Sequence, residues 1–227
     1  MRQDSRIEMS AVKNQNNMST ILLTSGGMTV KEEILKILPK PLSKLKMVCI
    51  TTAHNPDVEK NPEYVSKDKV ALKATGLKFQ ELDIKDKTEK ELRKILSDKN
   101  VIYVQGGNSF YLLKYIRESG FDKVVKDLIN QGVVYIGVSA GSMVACQTIE
   151  TANWKHQDKN EVGLEDFTAM GLVPFNVFVH YSPEYTSTVG EELSKSKFPL
   201  HLLTDSQALL IKDGKVELVG EGKEAII

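Results

Sequence analysis

Val133-Val134-Tyr135-Ile136-Gly137-Val138-Ser139-Ala140-Gly141-Ser142-Met143-Val144-Ala145 is the stretch whose reading decides the fold. Its apolar run stops at Gly137-Val138-Ser139-Ala140-Gly141, and small residues at helix-compatible spacing follow. That order predicts a buried strand, a tight turn and a helix. Gly-x-Ser-x-Gly at such a junction is the nucleophile-elbow pattern. The turn strains the serine backbone and points Oγ away from the sheet. The next backbone N–H, from Ala140, faces the same space, where it can stabilise an oxyanion. Gly137 and Gly141 suit the turn because a side chain at either would crowd it. The same five residues also occur as an ordinary strand-to-helix turn, so the flanking chain has to discriminate.

The flanks repeat the alternation. Val101-Ile102-Tyr103-Val104 predicts the preceding strand, ended by Gln105-Gly106-Gly107-Asn108, with a helix opening at Ser109 and another over 121–130. Further upstream, 20–24, 47–52 and 78–84 predict strands. Helices are expected over about 30–38, through about Thr75 and over 89–96. Alternating strands and helices argue for an α/β protein with a mostly parallel sheet flanked by helices on both faces. Downstream the pattern changes. The segment 151–167 is polar and reads as a loop excursion. Val177-Phe178-Val179-His180 predicts a short strand ending in histidine, and 200–204 another. The runs 207–211 and 215–219 flank Lys212-Asp213-Gly214, a hairpin signal. Residues 1–18 are polar, rich in Asn and Gln and without periodicity, so a disordered extension is expected there, with 19–227 as one domain.

Bulk properties exclude several function classes. Lys plus Arg and Asp plus Glu both total 30, so no global field favours nucleic acid or an anionic membrane. No apolar run is long enough to span a bilayer. The polar N-terminus lacks the apolar centre of a secretion signal, so a cytoplasmic protein is expected. Cys49 and Cys146 both sit in apolar surroundings and read as small core residues rather than a disulfide. The polar excursion holds His156, Asp158 and Glu161, but a solvated loop explains it better than a metal site, and no metal is expected.

In open α/β sheets, function gathers at the carboxyl ends of strands. Gly106-Gly107-Asn108, Ser139 and His180 all fall there. A serine nucleophile needs a base within hydrogen-bond reach. Of the four histidines, His180 is the best candidate because it closes a buried strand. His54 is second, His156 lies in the excursion, and His201 reads as a packed or edge residue. Gly106-Gly107 is either a flexible turn or the source of a second oxyanion donor opposite Ala140. It is neither a dinucleotide fingerprint nor a phosphate-binding P-loop, since both spacings are absent.

Taken together, Val104-Gln105-Gly106-Gly107-Asn108-Ser109-Phe110, Tyr135-Ile136-Gly137-Val138-Ser139-Ala140-Gly141-Ser142 and Val179-His180-Tyr181 resemble the peptidase E family of aspartyl dipeptidases and related cyanophycinases. The resemblance runs from about Thr20 and keeps motif order. It implies a class I glutamine amidotransferase-like, flavodoxin-like three-layer fold. It implies hydrolysis of small peptides through an acyl-enzyme, with Ser139 as nucleophile, His180 as base, and Gly107 and Ala140 as oxyanion donors. Gly106 and Asn108 are the implied substrate-binding residues, and no cofactor is implied. The expected partner is a small peptide substrate, with no nucleic acid and no membrane, and the exposed helices of such folds can support a homodimer.

Two departures shape the expectations. The family places an acid after the elbow helix to orient the histidine, and here Thr151-Ala152-Asn153 leads into Trp154. Asp158 is the candidate third member, with Glu161 or a Ser139–His180 dyad as alternatives. Aspartyl dipeptidases also carry an arginine after the histidine to receive the substrate carboxylate. This chain has only Arg2, Arg6, Arg93 and Arg117, so specificity for Asp-X dipeptides loses its natural partner. The competing reading is a weak or inactive relative that binds a small ligand or a partner protein.

Overall fold

The central sheet is built from strands whose successive side chains enter opposite cores. The computed structural model describes residues 19–54, 63–154 and 158–225. In chain order the elements are β1 (Thr20–Thr24), α1 (Lys31–Lys36), β2 (Met47–Ile50), α2 (Glu63–Ala74), β3 (Phe79–Leu82), α3 (Glu89–Leu96), β4 (Val101–Val104), α4 (Ser109–Ser119), α5 (Phe121–Asn130) and β5 (Val134–Val138). Then follow α6 (Ala140–Met143), α7 (Thr151–Trp154), β6 (Asn176–Phe178), α8 (Thr186–Leu193), β7 (Leu200–Leu202), β8 (Gln207–Lys212) and β9 (Lys215–Gly220). Seven strands form one sheet in the order β3-β2-β4-β5-β1-β8-β9. The first five are mutually parallel, and β8 and β9 close the edge antiparallel.

The two-period pleat explains why the inner strands read as unbroken apolar runs. Ile21, Leu23, Val48, Ile50, Ile102, Val104 and Tyr135 meet α3, α4 and α5 on one face. Leu22, Met47, Cys49, Val101, Tyr103, Val134 and Ile136 meet Ile34 of α1 and Leu72 of α2 on the other. With both faces covered, the chain has a three-layer, flavodoxin-like α/β fold. Fully burying each such side chain contributes roughly 1.5–3 kcal/mol. Cys49 and Cys146 are free thiols in these cores, and burial pushes Cys146 up to about 12. The hairpin turn falls at Asp213 and Gly214, with φ of 50° and 78°, the geometry of a two-residue turn that follows the strand twist.

Two expectations change. The strand over 177–180 is shorter and earlier, at Asn176–Phe178, because His180 turns into the left-handed region at φ 54°. It also leaves the main sheet and pairs in parallel with β7 as a separate two-stranded unit. The expected extension over 1–18 and the loop beyond His54 lie outside the described residues. Among the described residues no helix is long and apolar enough to cross a membrane.

Strand order sets the site. β4, β5 and β1 are neighbours and parallel, so Gln105-Gly106-Gly107, Ser139 and Ser25 leave the sheet at one edge. β8 runs the other way beside β1, pairing Ala208 with Thr24, so the residues just before β8 arrive at that same edge.

Candidate active site

Ser139 sits at the elbow with φ 49° and ψ −109°, a conformation that side-chain-bearing residues adopt only under constraint. Neighbouring bonds supply the constraint. Ser139 N–H donates to the Thr24 carbonyl at 2.9 Å, and the Ser142 hydroxyl donates to the same carbonyl at 2.7 Å. The fully buried Tyr135 phenol donates to the Gly141 carbonyl at 2.6 Å and so ties the elbow helix back to its strand. The two elbow glycines allow this closeness. A Cβ on Gly141 would stand 2.2 Å from the Val104 carbonyl oxygen, and one on Gly137 would stand 2.5 Å from the Gly141 carbonyl oxygen.

His180 arrives from the small sheet. Leu203 N–H donates to the Phe178 carbonyl and Tyr181 N–H to the Leu203 carbonyl, both at 2.9 Å, which lays 178–181 beside 203. His180 Nε2 is 2.9 Å from Ser139 Oγ, within general-base reach. On the other side, Nδ1 is 2.5 Å from Asp205 Oδ1. Ser25 completes the group. Its buried hydroxyl accepts the His180 backbone N–H at 2.7 Å and donates to Asp205 Oδ1 at 3.2 Å. The Asp205 side chain is 66% exposed and the His180 side chain 38%, so their attraction is screened by solvent and the pair acts mainly as a directional hydrogen bond.

The expectation that Asp158 orients the histidine is corrected by this geometry. Asp158 Oδ2 instead accepts the Ser109 N–H at 2.8 Å, and the carboxylate forms part of the wall of a small open cavity beside Ser139. Burial pushes the Asp158 carboxyl above its ordinary value, against the pull of Ser109 and of the His180 charge. Trp154, where the sequence comparison sought an acid, is a core residue. It packs on Phe178 with ring centroids 6.0 Å apart, in a cluster with Val189 and Leu202 that supports the small sheet.

The glycine turn also comes to the nucleophile. A Cβ on Gly106 would stand 3.1 Å from that of Ser139. Gly107 holds φ 146° with its Cα against the Ala53 carbonyl, where a Cβ would be 2.4 Å from the oxygen. Among the described residues, neither the Gly107 nor the Ala140 N–H donates to a protein acceptor. Asn108 caps α4 by accepting the Tyr111 N–H at 2.9 Å, and its amide donates to the Lys159 carbonyl at 2.8 Å. Both halves of that amide therefore serve the scaffold, which departs from the substrate-binding role expected of it.

The other histidines fall elsewhere. His201 packs on Phe175 and pairs with Glu224 at 2.8 Å, while His156 lies outside the described residues. His54 Nδ1 is buried without a partner among the described residues. Sequence reasoning missed Asp205 and Ser25. The available signal was positional, since each directly follows a strand or leads into one at the edge that carries Ser139.

A parallel α/β sheet with a strained serine elbow facing a histidine defines a class of hydrolase-like proteins, and comparison with known proteins narrows it. The model for peptidase family S51 matches residues 21–219, and the chain belongs to that family. An uncharacterized peptidase of Listeria monocytogenes is 32% identical over 163 residues, 70% of this chain and 79% of the relative. Peptidase E of Escherichia coli is 37% identical over 87 residues, 38% of this chain and 36% of its own length. A crystal structure of a L. monocytogenes protein provisionally assigned as peptidase E aligns over 90% of this chain and all of its own, with 27% identity and a TM-score of 0.77. A peptidase from an acI-B1 actinobacterium shares the fold at 18% identity, with a TM-score of 0.71 over 93% of this chain.

Proposed function

We propose that this peptidase is of the serine type and hydrolyses small peptides through an acyl-enzyme on Ser139. The carrying observation is the line of contacts from Ser139 Oγ to His180 Nε2 and from His180 Nδ1 to Asp205. Asp205 holds the proton on Nδ1, which leaves Nε2 free to accept the Ser139 proton. Ser139 Oγ then bonds to the scissile carbonyl carbon. The Gly107 and Ala140 N–H groups receive the negative oxygen. As the tetrahedral adduct collapses, the C–N bond breaks and His180 returns the proton to the leaving amine. Water, deprotonated by the same ring, then releases the acid and restores Ser139. No step asks for a cofactor.

The alternative of a non-catalytic binder rested on Trp154 displacing the acid and on the missing arginine after His180. Asp205 lies within hydrogen-bond distance of His180 from another loop, which answers the first motive, while the second bears on which substrate is taken. The test is amino-acid release from a panel of dipeptides and blocked peptides by wild type beside Ser139→Ala. The variant should lose about 10⁶-fold in turnover with the fold intact. Equal turnover by the two proteins would end the proposal.

A further inference from the structure

A carboxylate that no step of the mechanism uses meets the same edge of the sheet. Asp68, on α2, is partly buried. The Tyr103 phenol donates to its Oδ1 at 2.8 Å and the Gln105 amide to its Oδ2 at 3.1 Å. The Met28 N–H donates to the same group. Burial pushes the carboxyl up, while these donors favour its ionised form. Tyr103 and Gln105 are buried at the end of β4, and Met28 follows β1. One side chain therefore joins the turn that carries Gly107 to the turn that carries Ser25.

The Gly106-Gly107 turn needs such an anchor. Neither residue has a side chain to hold it, and glycine has the most backbone freedom to lose. At the far end of the turn the Asn108 N–H donates to the Ala53 carbonyl at 2.8 Å. At the near end the Gln105 N–H donates to the Ile50 carbonyl at 3.0 Å, and the Gln105 side chain reaches Asp68. Among the described residues Gln105 Oε1 has no partner, so the bond to Asp68 is what holds that amide. The other turn is packed as closely. Gly27 holds φ 63°, and a Cβ there would stand 2.9 Å from Asp68 Oδ1 and 3.3 Å from the Tyr103 hydroxyl.

We propose that Asp68 is a positioning residue: through Gln105 it fixes the Gly106-Gly107 turn, so that the Gly107 N–H is aimed in advance at the oxyanion. The inference rests on the serine-peptidase reading and adds to it a residue that acts through another. A donor aligned before the reaction stabilises the transition state more than the bound substrate, so loss of alignment falls on kcat.

The experiment uses the full chain with Asp68→Asn, Gln105→Met and the two combined. On the best substrate of the panel each single variant should lower kcat about ten- to a hundredfold, with KM within about twofold. The combined variant should lose no more than the worse single one, because both changes cut one connection. Losses that multiply, a loss confined to KM, or an unchanged kcat in Asp68→Asn overturn the proposal. In parallel, backbone order parameters are measured by NMR on isotope-labelled protein. The Gly106 and Gly107 amides should be rigid in the wild type, at about 0.85, and fall to about 0.6 in each variant, while β5 keeps its wild-type values. Unmoved glycine amides, or an equal fall across β5, overturn the clamp. A wild type that hydrolyses nothing overturns only the peptidase mechanism, since the order parameters then decide whether Asp68 holds the turn.

Discussion

Asp205 touches the His180 ring and Asp158 lines the cavity that His180 also lines, and the two carboxylates differ in exposure and in partners. Asp205 stands largely in water, touches Nδ1 and shares Ser25 with the histidine backbone. Asp158 is half-buried in an apolar-lined cavity, is held by one backbone N–H and has its carboxyl raised by burial. Environment separates the roles of two chemically identical groups. The exposed acid gains little from charge but much from direction, so it suits orientation of a ring. The enclosed acid is costly to leave ionised, which sets it apart from its exposed counterpart.

That contrast can be broken most sharply at Asp205. Asp205→Asn should lower kcat by about 10²- to 10⁴-fold, because the amide can donate to Nδ1 and leave the wrong tautomer facing Ser139. Asp158→Asn should leave a far smaller kcat deficit in the same assay. Equal kcat losses in the two variants would erase the division of labour. Ser25→Ala removes the acceptor of the His180 N–H and one donor to Asp205. About a tenfold loss in kcat with KM little changed is expected, measured on the best substrate of the panel. A loss confined to KM would show that Ser25 acts on substrate rather than on the histidine.

The smallest expected effect is on stability. Burial raises the Asp158 carboxyl in the folded state above its unfolded value. The folded protein therefore holds that proton more tightly. The resulting stabilisation is complete below the unfolded value, about 4, and is lost as pH rises through the folded one. Asp158→Asn carries no such proton, so its melting temperature relative to wild type should improve between pH 4 and pH 7. A difference independent of pH would remove burial as the feature that distinguishes this carboxylate from Asp205.

How much of this was legible in the sequence varies with the range of the interaction. The strands β1, β2, β4 and β5 were readable because each is a short apolar run closed by Gly, Ser or polar residues. The run over 121–130 became α5, and Asp213-Gly214 became the hairpin turn. The end of β6 was not readable, because His180 takes positive φ where its N–H donates to the Ser25 hydroxyl, 155 positions away, and its ring meets Ser139 and Asp205. The search for the orienting acid failed for the same reason. It followed the chain after the elbow, where Trp154 serves packing, whereas Asp205 comes from the turn before β8.

The sequence by itself determined the alternation of elements, the serine elbow with its two crowded glycines, and the candidate histidine. These depend on periodicity and on steric limits within a few residues. Only the tertiary structure decided which acid meets the histidine and which faces the cavity. Parallel β4, β5 and β1 and antiparallel β8 bring four distant loops to one edge, and the pairing of 178–181 with 203 delivers His180 between them. Strand order and direction are set by burial over the whole sheet, and no local run of residues encodes which loops will then touch.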